Sequence, residues 1–220
     1  MQLLPLLGCA TPAGRVLALG AHADDIEIGC GATLLALTRA NPEIAVTWVV
    51  LGAQGERERE ARASAVAFLA SIPNSEVVVH PFRNSYFPYV GGQVKDAFEE
   101  LKERFEPDLI LTHTRQDLHQ DHRLVCELTW NTWRDHLILE YEIPKYDGDL
   151  ASPNVFVPIS EELAAEKVAL IREWFPSQGE RHWFDERLFF GLMRLRGMEA
   201  RSPSGYAEGF TCHKLALSVA

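Results

Sequence analysis

The feature that most restricts the fold is an alternation of short apolar runs with longer stretches of helical spacing. Arg15–Ala21 (RVLALGA), Ile44–Leu51 (IAVTWVVL), Val77–His80 and Leu109–His113 (LILTH) are brief and largely apolar, with β-branched residues prominent. Several are apolar at consecutive positions. Side chains alternate between the two sides of a sheet, so this pattern marks strands buried on both faces. Between these runs, Gly29–Arg39, Glu56–Leu69 and Gln93–Phe105 repeat apolar residues at helical intervals. The order β-α-β-α-β-α-β predicts an α/β fold whose sheet is mostly parallel, with right-handed crossovers and helices on its faces.

The second half is less regular. His119–Arg134 reads as a helix, with Asp117 placed to cap it and Gln120 three residues on. Leu137–Ile143 reads as a further strand and Asp147–Pro158 as a turn-rich connector. Ser160–Phe175 opens Ser-Glu-Glu, which puts a capping hydroxyl and two acids at the positive end of a helix. Arg187–Arg196 is a last helix and Ser202–Gly209 a Ser/Pro/Gly loop. Nothing resembles a repeat or a long linker. The expectation is one domain over residues 1–220, a length at which a single core still suffices.

Charge narrows the partners. With 21 Lys+Arg against 31 Asp+Glu the formal charge is −10, which disfavours nucleic acid and anionic membrane surfaces. The four cysteines, Cys9, Cys30, Cys126 and Cys212, form no C-x-x-C pair and suit neither a disulfide scaffold nor a thiolate zinc finger. Met1–Leu7 is apolar but lacks the basic start of a secretion signal, and no apolar run approaches membrane-spanning length. A cytoplasmic chain without membrane insertion is expected.

Ligands of open parallel sheets bind beyond the carboxyl ends of the strands. Beyond the first strand come His22-Ala-Asp24-Asp25-Ile-Glu27 and Gly29-Cys-Gly31. Beyond the second comes Gly52-Ala-Gln-Gly55-Glu56-Arg57. Beyond the fourth come Thr112-His113 and then Asp117-Leu-His119-Gln-Asp121-His122. Imidazoles and carboxylates thus converge on one rim. They are the donor set of a catalytic zinc site with three protein ligands and an open position. His22 and Asp25, three apart in a tight turn, can share one ion, and His119 and His122 fall on one helix face. A metal-bound water needs a base to take its proton, and Asp24 stands next to the ligand pair. A lone Asp-Asp or His-x-x-Asp-His has ordinary capping roles; the two together at one sheet edge do not reduce to capping.

Leu19-Gly-Ala-His22-Ala-Asp24-Asp25-Ile-Glu27 resembles the A-H-P-D-D-x-E signature of the PIG-L/LmbE-like deacetylases, and His119-Gln-Asp121-His122 their H-x-D-H. Gly52–Ala70 and Tyr206-Ala-Glu208-x-Phe210 resemble further segments of that family. The resemblance implies a Rossmann-like sheet and a Zn2+ ion, or another divalent metal, held by His22, Asp25 and His122. It implies Asp24 as general base, His119 as the cation or donor facing the oxyanion, and Asp121 as the carboxylate that orients and charges an imidazole. Protonation of His119 is expected to be favoured by Asp121. The implied reaction removes acetyl from an N-acetylated amino sugar or its conjugate, and the implied partners are that small molecule and, as often in the family, further copies of the chain. Two departures stand out: Ala23 replaces the family's proline, and Phe175-Pro-Ser177-Gln178 lacks the first histidine of H-x-S-Q. His182 is a weak substitute for it.

Arg57 or Arg59 is a weak candidate for a substrate hydroxyl or carboxylate, set against a solvated helix start. His113 is expected only to pack. Trp130, Trp133, Trp174 and Trp183 are core by default, with sugar stacking as the alternative. A dinucleotide-binding oxidoreductase has the same strand–Gly–helix layout. However, no complete G-x-G-x-x-G follows the first strand, and two carboxylates sit where a pyrophosphate needs bare amides. An inactive sugar-binding homologue is the remaining alternative, against which the intact His/Asp set argues. The rim is expected to be acidic and thus a poor host for a bare polyphosphate.

Overall fold

Strand β1, Arg15–His22, shows why the sheet must be covered twice. Val16 and Ala18 pack into one apolar cluster, while Leu17, Leu19 and Ala21 pack into the other. In β2, Ala45–Gly52, the same alternation sends Val46, Trp48 and Val50 one way and Val49 and Leu51 the other. A computed structural model describes residues 14–216. Met1–Leu7 and Cys9, read above for targeting and redox chemistry, lie outside them. Among the described residues, Cys30 and Cys126 are buried free thiols and Cys212 is half-buried. No helix there is long and apolar enough to cross a membrane.

The remaining elements are α1 Asp25–Ala40, α2 Glu56–Phe68, β3 Ser75–Val79, α3 Gly91–Arg104, β4 Leu109–His113, α4 Gln120–Thr132, β5 Leu137–Tyr141, β6 Val155–Ile159, α5 Glu161–Trp174, α6 Glu186–Ala200 and β7 Tyr206–Thr211, with a 3-10 turn at Phe87–Val90. The sheet runs β3-β2-β1-β4-β5-β7-β6. Its first five strands are parallel, and β7 is antiparallel to both β5 and β6. Helices α1, α2, α5 and α6 cover one face, and α3 and α4 the other. The fold is the expected mostly parallel, Rossmann-like α/β sheet.

Two expectations fail at its edge. Asp147–Pro158 was to be a connector and Ser202–Gly209 a loop, yet each contains most of a strand. β6 is short and carries Pro158, a residue that sheets accept on an edge strand, where β6 lies. β7 runs unbroken through Gly209, which is backed by Pro153: a Cβ there would stand 2.9 Å from the Pro153 ring.

Helix α1 is two helices in one. Cys30 has φ −145° and ψ 16°, outside the helical region. The break is filled from the far end of the chain. Glu208 on β7 accepts from the amides of Ala32 (3.0 Å) and Thr33 (2.7 Å), capping the second half of α1. Lys167 on α5 donates to the Ile28 carbonyl (2.7 Å) and pairs with Glu208 (2.6 Å). Both side chains are buried, and removing one partner of such a pair costs about 3–5 kcal/mol. This is the structural content of the Tyr206-Ala-Glu208 segment.

Helix α6 packs backbone to backbone on the turn before β7. A Cβ at Gly197 would lie 2.0 Å from the Gly205 carbonyl oxygen. Gly197→Ala is expected to cost about 1–3 kcal/mol or more, a fall in Tm of roughly 2–12 °C for a chain of this size. Gly191→Ala in the same helix, where a Cβ meets nothing within 4 Å, should leave Tm unchanged or raised. Thermal unfolding of the pair decides this, and equal shifts would refute the close packing.

Candidate active site

The chain leaves β1 in one direction through α1 to β2, while β4 lies on the other side of β1. That reversal opens a crevice at the carboxyl ends of β1 and β4. His22 ends β1 and Asp25 begins α1. Between them Asp24 adopts φ 94°, a left-handed conformation that Asp and Asn tolerate better than most residues. The Asp25 carboxylate folds back over the turn and accepts from the His22 amide (2.7 Å). At the end of β4, the ring of His113 accepts from the Ala21 amide at Nε2 (3.0 Å), tying the two strand ends together.

Each of two imidazoles is fixed by a carboxylate on its far side. Asp121 receives His22 Nε2 (3.0 Å) and also the amides of Ser85 (2.6 Å) and Phe87 (3.1 Å). Asp117 receives His122 Nδ1 (2.9 Å), the His119 amide (2.8 Å) and Lys145 (2.9 Å). The opposite nitrogens therefore point inward. His22 Nδ1 and His122 Nε2 are 3.2 Å apart, and each faces Asp25 Oδ2, at 3.5 and 3.4 Å. Donors about 2.0–2.1 Å from a tetrahedral ion are separated by about 3.4 Å, so this near-equilateral triangle fits one face of such a site.

Two overlapping donor groups lie within 4.8 Å of one another: His22, His119 and His122, and Asp25, His113 and His122. The second is a possible metal-binding triad. His113 stacks on His122 with ring centroids 3.9 Å apart, and its Nε2 is 3.2 Å from Asp25 Oδ2. The Ala21 amide already occupies the Nε2 lone pair. His113 is nonetheless part of the site rather than mere packing, and its signal in the sequence was its place at the end of a strand.

The site's electrostatics follow from burial and pairing. Burial opposes charge on His22, but the hydrogen bonds and charges of Asp121 and Asp25 overcome it and carry its pKa up to about 9. Burial, with repulsion from His113, pushes His122 down to about 4. Asp117 is buried but is held well below the usual carboxylate range by His122 and Lys145. Asp24 is raised to about 7, chiefly by burial, with Arg57 opposing the rise.

Arg57 is spent on this turn rather than free for a ligand. It donates to Asp24 Oδ2 (2.7 Å) and to the Ala23 carbonyl, and pairs with Glu60 (2.8 Å). Glu60 is in turn held by the amide and hydroxyl of Ser177, at 2.8 and 2.7 Å, and Phe175 packs under the guanidinium at 5.2 Å. The Phe175-Pro-Ser177-Gln178 segment thus braces Asp24 through Glu60 and Arg57 without the missing histidine. His182 stands apart, stacked on Tyr146.

Three further expectations change. Asp117 is not the cap of α4: the His119 ring is, accepting from the Asp121 amide (3.2 Å), and Asp117 instead holds His122. Asp121 does favour protonated His119 through its charge, but its carboxylate is hydrogen-bonded to His22 and two amides, and its pull is outweighed. Burial and the charge of His22 hold His119 below its ordinary pKa, and because Nδ1 accepts from the Asp121 amide, the neutral ring carries its proton on Nε2. The rim is not acidic. The cavity over the site, about 730 Å³, is lined by Asp24 and Asp25 as its only carboxylates among the described residues, against Arg57, Arg83, Lys145 and Arg181.

Fold and site together define an α/β protein with a possible metal site at the carboxyl ends of its strands, and comparison with known proteins supplies its family. The family model for PIG-L, GlcNAc-PI de-N-acetylase, matches residues 17–133, more than half of the chain. The protein belongs to the PIG-L deacetylase family. It is similar to the uncharacterized deacetylase YaiS of Escherichia coli K12, at 29% identity over 179 residues, covering 76% of this chain and 94% of that protein. Among solved structures, the N,N'-diacetylchitobiose deacetylase of Pyrococcus horikoshii superposes with a TM-score of 0.69 at 21% identity, over 90% of this chain and 83% of that one. The 4-carboxy-2-hydroxymuconate hydratase GalB of Pseudomonas putida KT2440 gives 0.73 at 17% identity, over 93% and 98%. These two likenesses establish the fold.

Proposed function

We propose that the protein is a divalent-metal-dependent N-deacetylase that hydrolyses the acetamide of an amino sugar or its conjugate. His22, Asp25 and His122 would hold the ion, zinc being the natural choice for this donor set. The observation that carries the reading is the inward triangle of donors at 3.2, 3.4 and 3.5 Å, each imidazole backed by its own carboxylate. A divalent ion bound there supplies Lewis acidity toward water and toward the amide carbonyl.

The chain's own groups do the rest. Asp24, poised near neutrality, takes a proton from the attacking water and can return it to the leaving amine. Arg57 keeps the Asp24 carboxylate aimed into the crevice. His119 presents Nε2–H to the cavity, where it donates to the oxygen that gains charge as the carbonyl becomes tetrahedral. As a neutral donor it needs no proton uptake beforehand. Asp121 and Asp117 keep the His22 and His122 rings from rotating.

The test is acetate release by metal-loaded protein from a panel of N-acetylated amino sugars and glycosides, followed by NMR. Stoichiometric acetate and free amine are expected from at least one member. GalB lends a second reading, addition of water to an unsaturated carboxylic acid, because it shares the fold. Loss of vinyl absorbance with no acetate from any sugar would replace the first reading with that one.

A further inference from the structure

The connection from β3 to α3 crosses the carboxyl ends of the strands, and one peptide in it is held in an unfavourable conformation. Ser85 has φ 65°, in the left-handed region that a serine rarely adopts. Such a backbone persists only where its surroundings impose it. The Ser85 hydroxyl does not impose it, since it is spent at the surface on Asn84 Oδ1 (2.9 Å). The two backbone groups are what the structure uses, and both are taken by the start of α4. The amide donates to Asp121 Oδ2 (2.6 Å), and the carbonyl accepts from the Gln120 side chain (2.5 Å).

Asp121 Oδ2 is the same oxygen that receives His22 Nε2 (3.0 Å), while Oδ1 receives the Phe87 amide (3.1 Å). The carboxylate is fully buried, so water does not readily replace a partner that leaves. With one amide on each oxygen it is held in one position, and the His22 ring takes its orientation from it. His22 Nδ1 then faces Asp25 and His122. The same short segment forms a wall of the cavity through Phe82, Arg83 and Asn84. It is pinned by the buried Phe87, whose ring lies 5.7 Å from that of His22.

Resting on the reading of His22 as a metal ligand, we propose that Ser85 is a positioning residue: its strained peptide sets His22 through Asp121 and couples metal occupancy to the order of the Phe82–Phe87 wall. The coupling is reciprocal. Whatever affinity for the ion the ordered wall adds, the bound ion returns as added order of the wall. Ser85 does not itself line the cavity and acts only through Asp121.

The test measures zinc affinity at one fixed pH by competition with a chromophoric chelator, beside the Tm of the metal-free proteins. Ser85→Pro, which lacks the amide proton and cannot reach a positive φ, should weaken zinc by about 10–100-fold, the usual effect of losing a hydrogen bond behind a ligand. Ser85→Gly, which adopts this conformation freely, should stay within about threefold of wild type. Ser85→Val keeps the amide but resists a positive φ, and should fall between the other two; it carries the test if the proline variant does not fold. Hydrogen exchange of the Ser85 and Phe87 amides in the wild type should slow when zinc is added. Unchanged zinc affinity in Ser85→Pro with a lowered metal-free Tm makes the peptide merely structural and overturns the inference. Exchange that ignores zinc overturns the coupling. The two readings fail separately. Zinc held equally tightly by wild type, Ser85→Pro and Ser85→Val sinks the role of Ser85 and leaves the metal site, whereas a wild type that binds no zinc sinks both. Neither measurement uses acetate release, so failure of the deacetylation reaction alone leaves the inference standing.

Discussion

Replacing Asp24 with Asn will leave the protein folded and loaded with one divalent ion per chain, while acetate release falls by roughly 10²–10⁴-fold, the usual contribution of a general base. Asn is the informative choice because position 24 sits at φ 94°, which Asn tolerates and Ala does not. It also keeps a hydrogen-bond acceptor for Arg57. The pH profile carries a second part of the expectation. The base must be ionised, so activity rises with pH through the Asp24 pKa and levels off above it. That pKa lies near 7 without metal, and a bound cation lowers it, so the wild-type acid limb has its midpoint at or below about pH 7. Arg57 works in the same direction. Arg57→Gln removes that pull and should move the limb to higher pH, with a loss that is large at pH 6 and recovers toward pH 9. Undiminished turnover in Asp24→Asn, or an unshifted profile in Arg57→Gln, would remove Asp24 from the role.

His122→Ala should abolish both stoichiometric metal and acetate release, since it deletes the one donor common to both overlapping donor groups. Asp117→Asn should be milder, weakening metal by about 10–100-fold, because it releases the ring without removing it. Affinity should also depend on pH in a sense the site dictates. In the metal-free protein His22 holds its proton up to about pH 9, so an entering ion must displace that proton. Affinity therefore falls about tenfold for each pH unit below 9 and flattens above it. His122, at about 4, is already neutral across this range and adds no competition. Metal titrations at pH 6, 7, 8 and 9, with about one proton from His22 and part of a second from Asp24 released per ion at pH 7, check the assignment. An affinity independent of pH would speak against His22 as a ligand.

Much of this was readable in the sequence, and the unread part has a common cause. Strand β4 matches its expected bounds because apolar runs buried on both faces are a local signal. His22, Asp25 and His122 were legible as a convergent set because the segments that carry them follow β1 and β4 onto the same rim. Asp117 was misread as a helix cap because its true partner, the His122 ring, becomes available only once α4 starts two residues later than a cap at 117 requires. The brace from Ser177 through Glu60 to Arg57 joins residues 117 and three positions apart, so no window of sequence contains it. β6 and β7 were hidden by Pro158 and Gly209, which are strand breakers in isolation but are admissible on an edge strand and against Pro153. The acidic rim was read from Asp24, Asp25 and Asp121, whose charges are met by Arg57 and the imidazoles, while the basic side chains that line the cavity come from segments distant in sequence.

The break in α1 bears on the order in which the protein is finished. The family match ends at residue 133, and every metal-donor candidate lies within it. The helix that carries Asp25 is nevertheless completed by Lys167 and Glu208, both of which follow the matched segment in the chain. A nascent chain that has exposed its whole signature still lacks the groups that satisfy the Ile28 carbonyl and the Ala32 and Thr33 amides. The helix that carries Asp25 is thus completed only when α5 and β7 dock, although both lie beyond the matched segment.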